Sequence, residues 1–161
     1  GATVIGTVGS PAKAELARAH GCDHVINYAS ENFTQRVRDI TGGKGVAVVY
    51  DGVGKDTFTG SLDSLRPMGM MVSYGNASGP VPPVDLILLS QKGSLFITRP
   101  TLMTYTAQRA DLLELGRELF DRVAGGQLRI EVNQRYALRD AAQAHRDLEA
   151  RKTTGSTILL P

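Results

Sequence analysis

The chain has 161 residues, of which 42% are hydrophobic, with 18 Lys and Arg against 16 Asp and Glu and a formal net charge of +2. That is enough for one globule with a sizeable core. The basic residues are scattered among acids instead of forming a nucleic-acid footprint, and no apolar run approaches the ~20 residues that a bilayer span needs.

Residues 3 to 13, Thr-Val-Ile-Gly-Thr-Val-Gly-Ser-Pro-Ala-Lys, predict a buried strand running into a helix. Ser10 suits an N-cap and Pro11 the first turn, where free N–H groups and the helix dipole favour an anion. In dinucleotide-binding sheets, an Asp or Glu at the end of such a strand accepts from the ribose 2′-OH and would repel a 2′-phosphate. No acid stands there, and Lys13 one turn in can pair with a phosphate. The junction therefore points to NADPH; a capped helix with a solvent-facing lysine is the competing reading. Ser10-x-x-Lys13 also spells the nucleophile motif of serine acyl transfer. Ser-Asp-Asn is absent, however, and Lys152-Thr-Thr-Gly155 is one residue too long for Lys-Thr-Gly.

Further along, strand-like runs at His24 to Tyr28, Val46 to Asp51, Met70 to Tyr74 and Leu95 to Thr98 alternate with helical patterns. That alternation is the signature of a parallel sheet covered by helices. Ala12, Leu16 and Ala19, then Phe33, Val37 and Ile40, then Phe58, Leu62 and Leu65 form core stripes at i, i+4, i+7. His20, Cys22, Asp23 and His24 crowd together without a second cluster to complete a metal site, so no metal is expected. Cys22 is the single cysteine, which excludes an internal disulfide and fits a reducing, cytoplasmic compartment. Gly42-Gly-Lys-Gly45 is not a P-loop, because Arg38 stands where the first glycine belongs and Gly45 where Ser or Thr belongs. The Gly79-Pro-Val-Pro-Pro83 cluster reads as a loop inside the domain.

A longer helix near Ala107 to Ala124 presents Leu112, Leu119, Phe120 and Val123 as a core stripe and stops at Gly125-Gly126. A strand, a short helix carrying Ala141, Ala144 and Leu148, and a terminal strand Thr157 to Leu160 follow. This tail is expected to belong to a different sheet, with His145 at the edge of its core.

Gly6-Thr-Val-Gly-Ser, Val25-Ile-Asn-Tyr28, Asp39-Ile-Thr-Gly-Gly-Lys44, Val49-Tyr-Asp-Gly-Val-Gly54, Ser73-Tyr-Gly-Asn76 and Gln91-Lys-Gly-Ser-Leu-Phe-Ile-Thr-Arg-Pro100 occur in this order. Together they resemble the quinone oxidoreductases, the zinc-independent branch of the medium-chain dehydrogenase/reductase superfamily that includes ζ-crystallin. The resemblance covers essentially the whole chain. Cys22 departs from it, since a small residue such as Ala usually precedes the Asp there. The resemblance implies an α/β, Rossmann-like, doubly wound parallel sheet, truncated at its N-terminus, with a C-terminal tail belonging to a GroES-like substrate domain. Members run to roughly twice this length, and the chain opens on Gly1-Ala2 directly before a strand. It is therefore expected to be a piece lacking the first strand and the glycine-rich loop. The implied division is residues 1–130 as an NADPH-binding domain and 131–161 as a segment of the substrate domain.

The family's functional residues map onto several positions. Gly9, Ser10, Lys13 and Tyr28 would hold the adenosine 2′-phosphate side, and Val53 the ribose or adenine. Tyr74, Gly75 and Asn76 would lie near the nicotinamide ribose, Pro100, Thr101 and Leu102 beside the nicotinamide ring, and Arg151 would close over the cofactor. No catalytic acid or base is assigned within the chain. The implied activity is reduction of quinones by NADPH, with the fragment itself inactive. The alternatives are reduction of an enal or enone double bond, or a non-catalytic crystallin-like or RNA-binding role. A homodimer is expected through the edge segment 93–98, where Leu95, Phe96 and Ile97 invite strand addition.

Overall fold

The computed structural model describes all 161 residues, in two compact units, Gly1–Thr101 and Leu102–Pro161, where a single globule was expected. All the strand ladders are parallel. In the first unit β1 (Ile5–Val8) pairs with β2 (His24–Asn27), from Ile5 opposite His24 to Val8 opposite Asn27. β3 (Val46–Asp51), β4 (Leu65–Ser73) and β5 (Phe96–Thr98) form a second ladder in that spatial order, with β5 at its edge. β1 and β3 are not joined, so the predicted sheet is present as two separate ladders. The parallel pairing fits the predicted α/β class, because each connection between paired neighbours crosses over through a helix.

The helices of this unit are α1 (Pro11–Ala19), α2 (Phe33–Ile40), α3 (Phe58–Asp63) and α4 (Ile87–Gln91). The last, of five residues, is too short to produce a periodic signal. Phe58, Leu62, Leu65, Met71 and Leu95 form the core, with Leu88 and Leu89 packed against it. α3 and α4 thus cover one face of the β3–β4–β5 ladder. Val48, Tyr50, Met70 and Phe96 alternate onto the opposite face and are exposed within this unit.

The second stripe, Phe33, Val37 and Ile40, packs inward as expected. The first is displaced: Ala14 is buried and Leu16 and Ala17 are half-buried, while Ala12 and Ala19 face outward. A short alanine-rich helix offers two nearly equivalent faces, and burial follows the one that meets β1 and β2. Leu65 is core but lies on β4, since α3 ends at Asp63. β4 also begins earlier than expected. It pairs Leu65 with Val46, breaks register, and resumes with Met70 opposite Val48, and in the break Met68 takes φ 58°. Across this break β4 advances by five residues while β3 advances by two.

The second unit comprises α5 (Leu102–Tyr105), α6 (Arg109–Ala124), β6 (Val132–Ala137), a 3₁₀ turn at Leu138–Asp140, α7 (Ala141–Glu149) and β7 (Ser156–Leu160). β6 and β7 form their own ladder, as expected of the tail. α6 buries none of its residues: Leu112, Leu119 and Phe120 are all exposed, contrary to the expected core stripe. A hydrophobic stripe reports an apolar face but not whether the same chain covers it. His145 is exposed and not at a core edge, whereas Ala144 beside it is buried. No helix is long and apolar enough to cross a membrane.

Candidate cofactor site

Two strand-end constellations carry the predicted site residues of the first unit, and each has the same construction. Gly9 follows β1 and Tyr28 follows β2; the Tyr28 N–H donates to the Val8 carbonyl at 3.0 Å. A Cβ added to Gly9 would stand 2.9 Å from the Tyr28 hydroxyl, so the phenol lies directly over the glycine. Gly52 follows β3 and Tyr74 follows β4, and the Tyr74 N–H donates to the Asp51 carbonyl at 2.9 Å. A Cβ on Gly52 would meet the Tyr74 ring and hydroxyl at 2.9 Å. In both cases a tyrosine rests on the glycine that ends the neighbouring strand. Both stand at the carboxyl ends of parallel strands, where open α/β sheets bind ligands.

At the first constellation Ser10 has extended backbone and its hydroxyl accepts from the Lys13 N–H at 3.4 Å, the N-cap expected for α1. Lys13 is half-buried and is not engaged in any ion pair. Glu31, the carboxylate that follows β2, accepts from the Asn27 N–H at 3.0 Å and pairs with Arg36 at 3.0 Å. Gly9, Ser10, Lys13 and Tyr28 thus bring a helix N-terminus, a lysine one turn into α1 and a phenol over a glycine to one strand end. This donor set suits a phosphate.

At the second constellation the loops after β3 and β4 are laced together. Ala77 donates to the Gly52 carbonyl at 3.3 Å, Ser78 to the Val53 carbonyl at 2.9 Å, and Lys55 to the Gly79 carbonyl at 3.1 Å. A Cβ on Gly75 would fall 2.3 Å from the Gly52 carbonyl oxygen, so only glycine permits this approach. Val53, Tyr74, Gly75 and Asn76 are in this way brought together. Arg99 extends the group to the end of β5, donating to the Ser73 hydroxyl and the Gly75 carbonyl, both at 3.1 Å. Pro100 and Thr101 follow immediately.

Asp51 anchors the second constellation. It is 4% exposed, and its carboxylate accepts from the Val53 and Gly54 N–H groups at 2.8 and 2.9 Å. It also accepts from the Thr57 hydroxyl at 2.8 Å and the Ser61 hydroxyl at 2.7 Å. Burial works to raise its pKa, but the hydrogen bonds from Ser61, Gly54, Thr57 and Val53 outweigh it and hold the carboxyl below its ordinary value. The sequence contained the cue, since an Asp whose carboxylate serves the N–H groups two and three residues on is a turn former.

Leu102 and Arg151 lie in the second unit. Leu102 opens α5 and is exposed. Arg151 follows α7 with φ 58° and donates its N–H to the Leu148 carbonyl at 3.0 Å. Beside it, Asp147 accepts from Tyr136 and Gln143, both at 3.0 Å, and pairs with Lys152 at 3.5 Å. The bonds from Gln143 and Tyr136 keep Asp147 low, and the same Asp147 bond pushes the Tyr136 phenol up. A groove of ≈ 580 Å³ along α6 is lined by charges such as Glu118 and Arg122, which pair at 2.8 Å. Such an i,i+4 pair marks a solvated helix face. His20, Cys22, Asp23 and His24 belong to no group of three or more potential metal ligands. The Cys22 thiol donates to the His24 carbonyl at 3.0 Å.

A family model described as zinc-binding dehydrogenase matches residues 20–159. A quinone oxidoreductase of Pseudomonas aeruginosa is 55% identical over 161 residues, covering 100% of this chain and 50% of its own length. A 2-haloacrylate reductase of a Burkholderia species is 52% identical, covering 100% of the chain and 49% of that protein. The crystal structure of Escherichia coli quinone oxidoreductase complexed with NADPH superposes with a TM-score of 0.96 at 50% identity, over 100% of this chain and 50% of that one. The chain spans about half the length of the curated relatives it matches.

Proposed function

This chain belongs to the zinc-binding dehydrogenase family, and on that premise we propose that it is the cofactor-binding half of an NADPH-dependent quinone oxidoreductase. The observation that carries the reading is the Gly9, Ser10, Lys13 and Tyr28 cluster, which offers a capped helix N-terminus and a free ammonium where no acid stands to receive a ribose 2′-OH. Its likeness to a quinone oxidoreductase whose crystal structure holds NADPH supports the same cofactor.

Bound NADPH would supply the reducing electrons, and the protein supplies position and electrostatics. In this reading Ser10 and the α1 N-terminus hold the 2′-phosphate through N–H groups, Lys13 neutralises it, and the Tyr28 hydroxyl closes its side. Val53 meets the ribose or adenine, and Tyr74, Gly75 and Asn76 line the nicotinamide ribose. Pro100 and Thr101 flank the ring; the roles of Leu102 beside it and of Arg151 over the cofactor, both in the second unit, rest on the resemblance alone. A quinone is itself an electron acceptor whose product oxygens take protons from water, so its reduction does not demand a Lewis acid. Zinc independence is part of the proposal on that ground.

We further assign residues 1–130 to the cofactor domain and 131–161 to the substrate domain. The unjoined edges of β1 and β3 support a first strand lying elsewhere in a longer protein. Cytoplasmic location and a homodimer through β5 complete the reading. A second reading, reduction of an activated carbon–carbon double bond, is favoured by the 52% identity to the 2-haloacrylate reductase.

The test is a parallel fluorescence titration of the intact protein with NADPH and NADH, repeated with Lys13→Ala. We expect a tenfold or greater preference for NADPH, worth about 1.4 kcal/mol, that collapses in the variant. Equal affinities, or no binding of either, would overturn the assignment. Turnover of a simple quinone against 2-haloacrylate then separates the two substrate readings.

A further inference from the structure

We propose that Asp51 is a positioning residue for the cofactor: its carboxylate fixes the loop after β3, and through that loop the loop after β4, so that Val53 and Tyr74 to Asn76 are offered to one ligand together. The inference rests on the NADPH reading above and deepens it.

Asp51 does not itself meet a ligand. A carboxylate accepts about four hydrogen bonds, and here the two N–H groups of Val53 and Gly54 and the hydroxyls of Thr57 and Ser61 occupy it. The donors come from the next ten residues of chain, so one buried anion ties the strand end, the turn and α3 into a single body. A turn alone needs far less, since an Asn or Ser side chain serves an ordinary Asx-type turn in water. What the carboxylate adds is rigidity transmitted onward. Val53 is held from below by Asp51, and its carbonyl accepts from both the N–H and the hydroxyl of Ser78, at 2.9 Å each. The Ser78 hydroxyl in turn accepts from the Asp56 N–H at 3.0 Å. The chain of bonds thus runs from Asp51 through Val53 to Ser78, and back through Asp56 to the same turn. The Gly54 backbone, at φ 90°, packs against the Gly79 carbonyl, and Gly75 against that of Gly52. Neither loop can shift alone.

Positioning of this kind acts on binding geometry, where a misplacement of about 1 Å is strongly felt. The experiment uses the intact protein with Asp51→Leu, Asp51→Asn and Thr57→Val. Dissociation constants for NADPH and NADH are measured by nicotinamide fluorescence, alongside thermal unfolding. Asp51→Leu and Thr57→Val should weaken NADPH and NADH together by about tenfold, leaving their ratio unchanged, because Ser10 and Lys13 are not part of this network. Asp51→Asn, which keeps an acceptor for the Val53 and Gly54 N–H groups but not for the Thr57 and Ser61 hydroxyls, should recover only part of the affinity. If Asp51→Leu does not fold, Thr57→Val, which deletes one hydroxyl, carries the test. Wild-type affinity in a folded variant with a lowered melting temperature would reduce Asp51 to a structural part and overturn the proposal. So would a change confined to the NADPH to NADH ratio. A wild type that binds neither nucleotide overturns the cofactor reading itself, a different failure.

Discussion

Gly75 is the position where the two loops leave least room. Its neighbour is a backbone carbonyl, which cannot turn aside, so Gly75→Ala should destabilise the protein by about 2–3 kcal/mol in denaturant unfolding. Gly9→Ala is the control. Its obstacle is the far end of the half-exposed Tyr28 side chain, which can swing outward, and we expect a loss within about 1 kcal/mol. Equal losses would mean that Tyr28 is as fixed as the loop backbone. At this scale the sequence was partly legible. Ser10 and Lys13 declared themselves through capping chemistry, whereas Tyr28, Val53 and Tyr74 were reached only through resemblance. Asp51 was read as a strand end: its turn through Val53 and Gly54 had a local cue, whereas the hydroxyls of Thr57 and Ser61 reach it only on folding. Ser61 is the least predictable of these, ten residues away on α3.

Elements depend on how their ends are satisfied, and Arg38 shows this for three of them. Its guanidinium donates to the carbonyls of Gly43 at 3.0 Å, Asp63 at 2.6 Å and Leu65 at 3.1 Å. One cation thereby serves the turn after α2, the end of α3 and the start of β4, where orphan carbonyls and the dipole favour positive charge. Arg38→Met keeps much of the side-chain bulk and removes every donor. We expect a loss of about 2 kcal/mol by thermal or denaturant unfolding, with Arg38→Lys recovering only part, since an ammonium lacks the planar fork. An unchanged melting temperature would mean that water replaces the guanidinium at all three carbonyls. Helix periodicity located α2 and α6 well. It failed on α4 and α5, which have five and four residues, and it chose the wrong face of α1, where alanines make both faces alike. The burial of α6 could not be read from its stripe at all.

For the molecule as a whole, the parallel α/β class was the most legible property, because alternating strand and helix periods leave few other topologies. The break between β1 and β3 was not visible in the pattern, since pairing depends on neighbours in space. One open edge is β5, whose three residues Phe96 to Thr98 pair with β4 on one side only. Phe96 is 56% exposed. We expect two copies to join through this edge. Phe96→Pro removes an edge donor and should yield a monomer by light scattering, and a dimer mass that persists would move the interface elsewhere.

The tyrosines seated on glycines have one more consequence, an optical one. The chain has no tryptophan and five tyrosines, so its own ultraviolet emission comes from phenols alone. Two of the five, Tyr28 and Tyr74, stand at the opposite ends of the proposed dinucleotide site. An absorbing nicotinamide bound there would draw excitation from both, and replacing either with Phe would report which half of the ligand has arrived.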